Sequence, residues 1–205
     1  MHYRNYFFSA LLFLVISGFT NNDRAKINPI VKRWLVSQNS SLNVNGSTNV
    51  NRFTCVIPAC PGKDTLTVNL DKSDQPVGLT GRIGLPVSSF DCHLSAMTRQ
   101  LRETLKEKQF PALYIRFLTL SRLPQITDVP TQVNGLVEIE IAGVTRRFEI
   151  SYQLNRDRQQ VIHLKGTHMV NFSDFNLKPP TKLGGMIKTK DALNVDFQLN
   201  ITELL

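Results

Sequence analysis

The chain has 205 residues, enough for one domain with a real core and too few for several. Its 11 glycines and 10 prolines exclude a collagen-like or low-complexity chain. The formal net charge of +8 at pH 7 favours anionic partners.

Phe7 to Phe19 is an uncharged apolar run preceded by His2 and Arg4. It is shorter than the roughly 20 residues of a membrane span and has the form of a secretory signal peptide. The expectation is a signal peptide over residues 1–20, a polar linker over 21–32 and one domain over 33–205. The destination is then the periplasm or the medium. An amino-terminal membrane anchor is the alternative. An exported chain rarely meets nucleic acid, which leaves contact with an anionic membrane surface or, equally, a simply soluble basic protein without a specific anionic partner.

Short runs of period two then follow one another, the mark of half-buried strands. Trp34 to Ser37 comes first, then Leu42 and Val44 between asparagines, with a turn over Gly46 to Asn51. Phe53 to Ile57 stops at Pro58; Leu66, Val68 and Leu70 alternate with Thr65, Thr67 and Asn69; Leu79, Ile83 and Leu85 repeat the pattern. Next comes one amphipathic helix. Leu94, Met97, Leu101 and Leu105 form a narrow apolar stripe opposite Arg99, Arg102, Glu103, Lys106 and Glu107. Ser95 is a suitable cap and Pro111 a suitable stop. The stripe needs an apolar surface, and the open end of a barrel would supply one.

Leu113 to Leu120 reads as a strand, followed by a loop to about Pro130. The clearest hairpin turns at Ala142-Gly143 and sets Ile141 opposite Val144, Ile139 opposite Arg146 and Val137 opposite Phe148. Ile150 and Tyr152 continue that apolar face, and Glu138 faces Arg147 on the other. Arg146 interrupts the apolar face near the tip, where it can guard a cavity mouth or simply be solvated. Val161 to Phe172 is a further strand with a bulge or bend expected at Gly166. Leu193 to Ile201 closes the series with strict alternation. Eight to ten strands with short links and one wet face make a mainly β protein. An antiparallel barrel or a sandwich satisfies this pattern, and a barrel of about eight strands can hold one small ligand.

Cys55, Cys60 and Cys92 are an odd number for an oxidising compartment, so one pair can close and leave one thiol free. The chain between Cys55 and Cys60 is long enough to bend the two together, but nothing in the sequence fixes the pairing. Only Cys92-His93 could complete a zinc site with them, and no metal or other cofactor is expected. His163 and His168 point to opposite faces of a continuous strand. A triad of His168, Ser173 and Asp174 lacks the glycine-rich elbow that exposes a nucleophile. Neither a phosphate loop nor a dinucleotide fingerprint occurs. The residues therefore suggest no catalytic site. They suggest an apolar interior formed by Phe110, Ile115, Phe117, Ile139, Phe148, Ile150, Tyr152, Phe172, Phe175 and Phe197. Such an interior is either a filled core or a ligand cavity.

Several stretches together resemble the YceI-like, polyisoprenoid-binding family of exported bacterial proteins. They are Pro86 to Cys92 (PVSSFDC) with Met97 and Leu101, Glu103 to Lys106 (ETLK) with Phe110-Pro111, and Gly135-Leu136 through Ile141 to Arg146. Gly166, Ser173-Asp174-Phe175, Pro179-Pro180, Gly185 and the strand from Leu193 to Leu199 continue the likeness, which covers roughly Trp34 to Leu204. Two features depart from it: the asparagine-rich first strands, and Arg99-Gln100 where related helices often carry an acid. The resemblance implies a lipocalin-like antiparallel barrel whose apolar cavity holds a long isoprenoid or similar lipid, outside the cytoplasm and without catalysis. The alternative is a non-catalytic envelope structural or adhesion module with a filled core.

Overall fold

A computed structural model describes residues 31–60, 64–70 and 76–204. The expected signal peptide, and all but the last two residues of the expected linker, lie outside them. Val31 and Lys32 already belong to the first strand.

Twelve strands form in chain order among the described residues: β1 (Val31–Val36), β2 (Ser41–Ser47), β3 (Arg52–Ile57), β4 (Thr65–Asn69), β5 (Val77–Pro86), β6 (Ala112–Leu120), β7 (Thr131–Ile141), β8 (Val144–Arg156), β9 (Ile162–Asn171), β10 (Thr181–Lys182), β11 (Ile187–Lys188) and β12 (Ala192–Leu204). Every strand the alternation marks is present. The two-residue β10 and β11, too short to carry a period, were not foreseen.

Eight strands close on themselves in the order β1-β4-β5-β6-β7-β8-β9-β12, and the β1–β12 pairing completes the ring. All of these pairings are antiparallel. The protein is thus a barrel and not a sandwich. Closure leaves the ring no free edge. Strand β12 is long enough for two partners on one side: β1 takes its carboxy-terminal end and β2 its amino-terminal end. The β2–β3 hairpin therefore continues the wall upward. A bridge between Val56 and Asp91 joins that wall to the segment before the helix.

The β7–β8 hairpin has the expected register, with Ile141 opposite Val144 and Glu138 opposite Arg147. Ala142 and Gly143 both adopt positive φ, the two-residue turn that matches strand twist. A Cβ on Gly143 would lie 2.7 Å from the Phe110 ring, which covers the turn. On the outer face Glu138 meets Arg147 at 2.7 Å and Arg116 at 3.4 Å. The hydrogen bond from Arg147, with both positive charges, holds the Glu138 carboxyl below its ordinary range against a smaller opposing effect of burial.

Gly166 has a different role from the bulge expected there. Its ladder with β12 runs unbroken through Gly166–Phe197, and on the other side it pairs with Tyr152. The Tyr152 and Phe197 rings meet edge-on at 5.8 Å, and a Cβ on Gly166 would sit 2.3 Å from the Phe197 ring. The missing side chain is the space those rings use. Pairing of β8 with β9 begins there and runs only toward Arg156, so the two strands part above Gly166.

The helix α1 spans Ser95–Thr104. Leu94 and not Ser95 is its cap, with no side-chain hydrogen bond, and Lys106 with φ 56° ends it before Pro111 is reached. The stripe is covered only in its second half: Leu101 is 9% exposed and Leu105 6%, whereas Leu94 is 63% exposed. Arg102 is not simply solvated. Its guanidinium donates to the backbone carbonyls of Ser88 and Phe90 and ties the helix to the chain before it.

Candidate functional site: an apolar cavity under the helix

Inward-facing side chains fill the barrel unevenly. Toward the end away from α1, Trp34, Leu66, Leu79, Leu120, Leu154 and Ile162 are fully buried, and none borders the cavity found at the other end. Toward the α1 end the core surrounds a cavity of about 110 Å³ with an apolar surface. Leu101 of α1 and Leu105 just past its end form one side of it; β2, β5 to β9 and β12 supply most of the rest, with Cys60, Phe90, Phe172, Phe175 and Leu177 from the connecting segments.

Eight of the ten expected lining residues meet at this cavity: Ile115, Phe117, Ile139, Ile150, Tyr152, Phe172, Phe175 and Phe197. Phe110 and Phe148 do not. Phe110 is drawn away to cover the Gly143 turn. Phe148 lies where β8 and β9 part, its ring 4.9 Å from His168 and 6.2 Å from Phe175, and helps plug that gap. Arg146 is exposed and does not line the cavity. Its guanidinium donates to the neighbouring Thr145 carbonyl at 3.3 Å.

Among the polar lining residues not singled out from sequence as cavity residues (Ser41, Cys60, His168 and Asn171), two are titratable. His168 faces inward on β9, where burial pushes its pKa down and the carboxylate of Asp174 partly opposes the shift. Cys60 also reaches the lining. Burial, with Asp64 nearby, raises its thiol to about 11. Such a thiol is neutral and unreactive at physiological pH. Period-two patterning could have flagged His168, which is in phase with Leu164 and Val170; no periodic signal marks Cys60. Tyr152 is 1% exposed and its hydroxyl has no partner among the described residues. Burial raises its pKa as well.

The disulfide joins Cys55 to Cys92 and leaves Cys60 free. It ties β3 to the segment leading into α1, beside the Val56–Asp91 bridge. The triad considered from sequence does not assemble: Ser173 bonds Asp191 through its hydroxyl and amide, and Asp174 caps Asn171. His163 instead bridges Asn200 at 2.7 Å and Asp157 at 2.9 Å. No group of three metal-ligating side chains occurs among the described residues.

This architecture is shared with solved structures. A polyisoprenoid-binding domain from Saccharophagus degradans, implicated in plant cell wall breakdown, superimposes with a TM-score of 0.59 at 11% identity, over 82% of this chain and 97% of that one. The chain has the YceI-like fold. Burkholderia cenocepacia BcnA matches with a TM-score of 0.58 at 15% identity, over 78% of this chain and 95% of that one. The likeness first seen in the sequence therefore holds at the level of the fold. No protein-family profile matches the chain, and no curated protein matches it significantly.

Proposed function

We propose that the protein is a YceI-like, non-catalytic carrier that sequesters an isoprenoid or other long-chain lipid in the barrel, working in the periplasm or outside the cell. The carrying observation is the apolar cavity beneath α1, in a barrel whose other end is filled by fully buried side chains. The Saccharophagus degradans domain, named for polyisoprenoid binding, supports the reading through its shared fold. Each buried CH₂ contributes about 0.8 kcal/mol, so an apolar chain needs no special polar partner to be held. Phe117, Phe172, Phe175 and Phe197 would form the wall against the chain, with His168 as the polar group within reach of a headgroup. The mature chain would meet an anionic membrane surface through its positive charge.

The size of the void favours a second reading. Its volume of about 110 Å³ is less than the roughly 150 Å³ that takes up benzene in an engineered apolar cavity. It holds a few carbon atoms, and a longer chain requires the lining to move. A structural or adhesion module with a nearly filled core explains that volume without any ligand.

Solvent extraction of purified protein with mass spectrometry, together with uptake of a fluorescent polyene fatty acid, separates the two. A carrier yields extractable lipid or takes up the probe, and Ile115→Trp or Ile139→Trp suppresses uptake by filling the void. Repeatedly lipid-free protein that takes up no probe would exclude the carrier.

A further inference from the structure

Beside the cavity, separated from it by one layer of side chains, lies a groove of about 180 Å³. Val44, Leu101, Phe172 and Leu193 border both spaces. Three tips surround the groove. The turn between β2 and β3 carries Val50, the cap of α1 carries Leu94, and the segment between β10 and β11 carries Leu183 and Met186. These four apolar side chains are 66%, 63%, 67% and 70% exposed respectively. The tips are held together: Asn49 donates from its side chain to the Met186 carbonyl at 2.9 Å, and Gln100 of α1 donates to the Thr181 carbonyl at 3.1 Å. Arg52, Lys182 and Lys188 stand on the same tips, and none forms an ion pair among the described residues. The neighbouring acids are engaged elsewhere, Asp91 at the His93 amide and Asp191 at Ser173.

We infer that this end of the barrel docks on an anionic phospholipid bilayer, and that the groove is the portal through which an apolar chain passes Leu101 into the cavity. The inference rests on the lipid-binding reading and names its membrane partner and route. Separate apolar tips with free cations between them suit insertion into a fluid, negatively charged interface, where apolar area and basic charge act together. The opposite end of the barrel is packed shut by Trp34, Leu120 and Leu154.

The test uses sedimentation with vesicles of phosphatidylcholine alone or mixed with phosphatidylglycerol, and stopped-flow uptake of a polyene fatty acid. The wild type is expected to bind only the mixed vesicles, less so in high salt. Each of Lys182→Gln and Lys188→Gln should weaken binding about fivefold, and Leu94→Ser/Met186→Ser should abolish it with the circular dichroism spectrum unchanged. Leu101→Ala should speed probe uptake, and the more exposed Met97→Ala should do so too should Leu101→Ala fold poorly. Vesicle binding that is absent, or unchanged in the variants, overturns the inference while uptake of the probe leaves the carrier reading standing. Faster uptake in Phe148→Ala but not in Leu101→Ala or Met97→Ala also overturns it, by moving the route to the gap between β8 and β9. Uptake by no variant, wild type included, overturns carrier and portal together.

Discussion

Removing the Cys55–Cys92 disulfide is the most direct probe of how the cavity end is held. The bond closes a loop across a sequence separation of 37 residues. Loop-closure entropy for that length corresponds to about 4 kcal/mol at 25 °C, within the range found for native disulfides. For a domain of this size each kcal/mol moves the midpoint by about 2–4 °C, so the expected fall in Tm is about 8–16 °C. Cys55→Ala/Cys92→Ala, chosen because both sulfurs are buried and a hydroxyl there would lack partners, is compared with oxidised wild type by calorimetry. Reduced wild type should show nearly the same fall. Peptide mapping without reduction should recover Cys55 linked to Cys92. A shift below about 2 °C, or recovery of a Cys55–Cys60 link, would refute the reasoning. Because the bond anchors the segment entering α1, the variant should also lose hydrogen-exchange protection in α1 before it does so in the fully buried strands around Trp34.

Four further outcomes follow from the same packing. Gly143→Ala should cost about 1–3 kcal/mol in urea denaturation, because a left-handed turn position and the Phe110 ring 2.7 Å away both oppose a Cβ; a neutral result would mean the turn relaxes freely. Tyr152→Phe should leave stability unchanged or raise it by about 1 kcal/mol, since its buried hydroxyl lacks a partner among the described residues, and a clear loss would reveal an ordered water bonded to it. His168 has a lowered pKa in the folded state, so the unfolded chain binds more protons and stability rises with pH across this window. The contribution is complete above the unfolded value of about 6.5 and is lost as pH falls through 6.5 toward the folded value; His168→Gln should flatten that part of the urea-midpoint profile, and an unaltered profile would clear His168 of the role. Cys60, raised to about 11, should resist iodoacetamide at pH 8 until denaturant is added, and rapid alkylation of native protein would place it outside the core.

What the sequence shows depends on the range of the forces involved. Strand positions follow from period-two burial, so β8 and β12 were plain from alternation alone, and the Ala142-Gly143 turn fixed the β7–β8 register down to Glu138–Arg147. Ile115, Phe117, Ile139, Ile150, Tyr152 and Phe197 border the cavity for the same reason: alternation tells which strand side chains face inward. It does not tell how far along the barrel the void lies. Phe110 and Phe148 have inward or central positions in the sequence pattern, yet one is taken up by the Gly143 turn and the other by the gap where β8 leaves β9.

Closure of the ring, the Cys55–Cys92 pairing and the double role of Gly166 needed the tertiary structure, because each joins segments that no local pattern relates. Helix α1 shows the division in one element. Its apolar stripe is written in the spacing of Leu94, Met97, Leu101 and Leu105, since a helix repeats every 3.6 residues. That Leu101 and Leu105 close a cavity while Leu94 stands in solvent was decided by where the barrel, its bonded cysteines and Arg102 hold the helix.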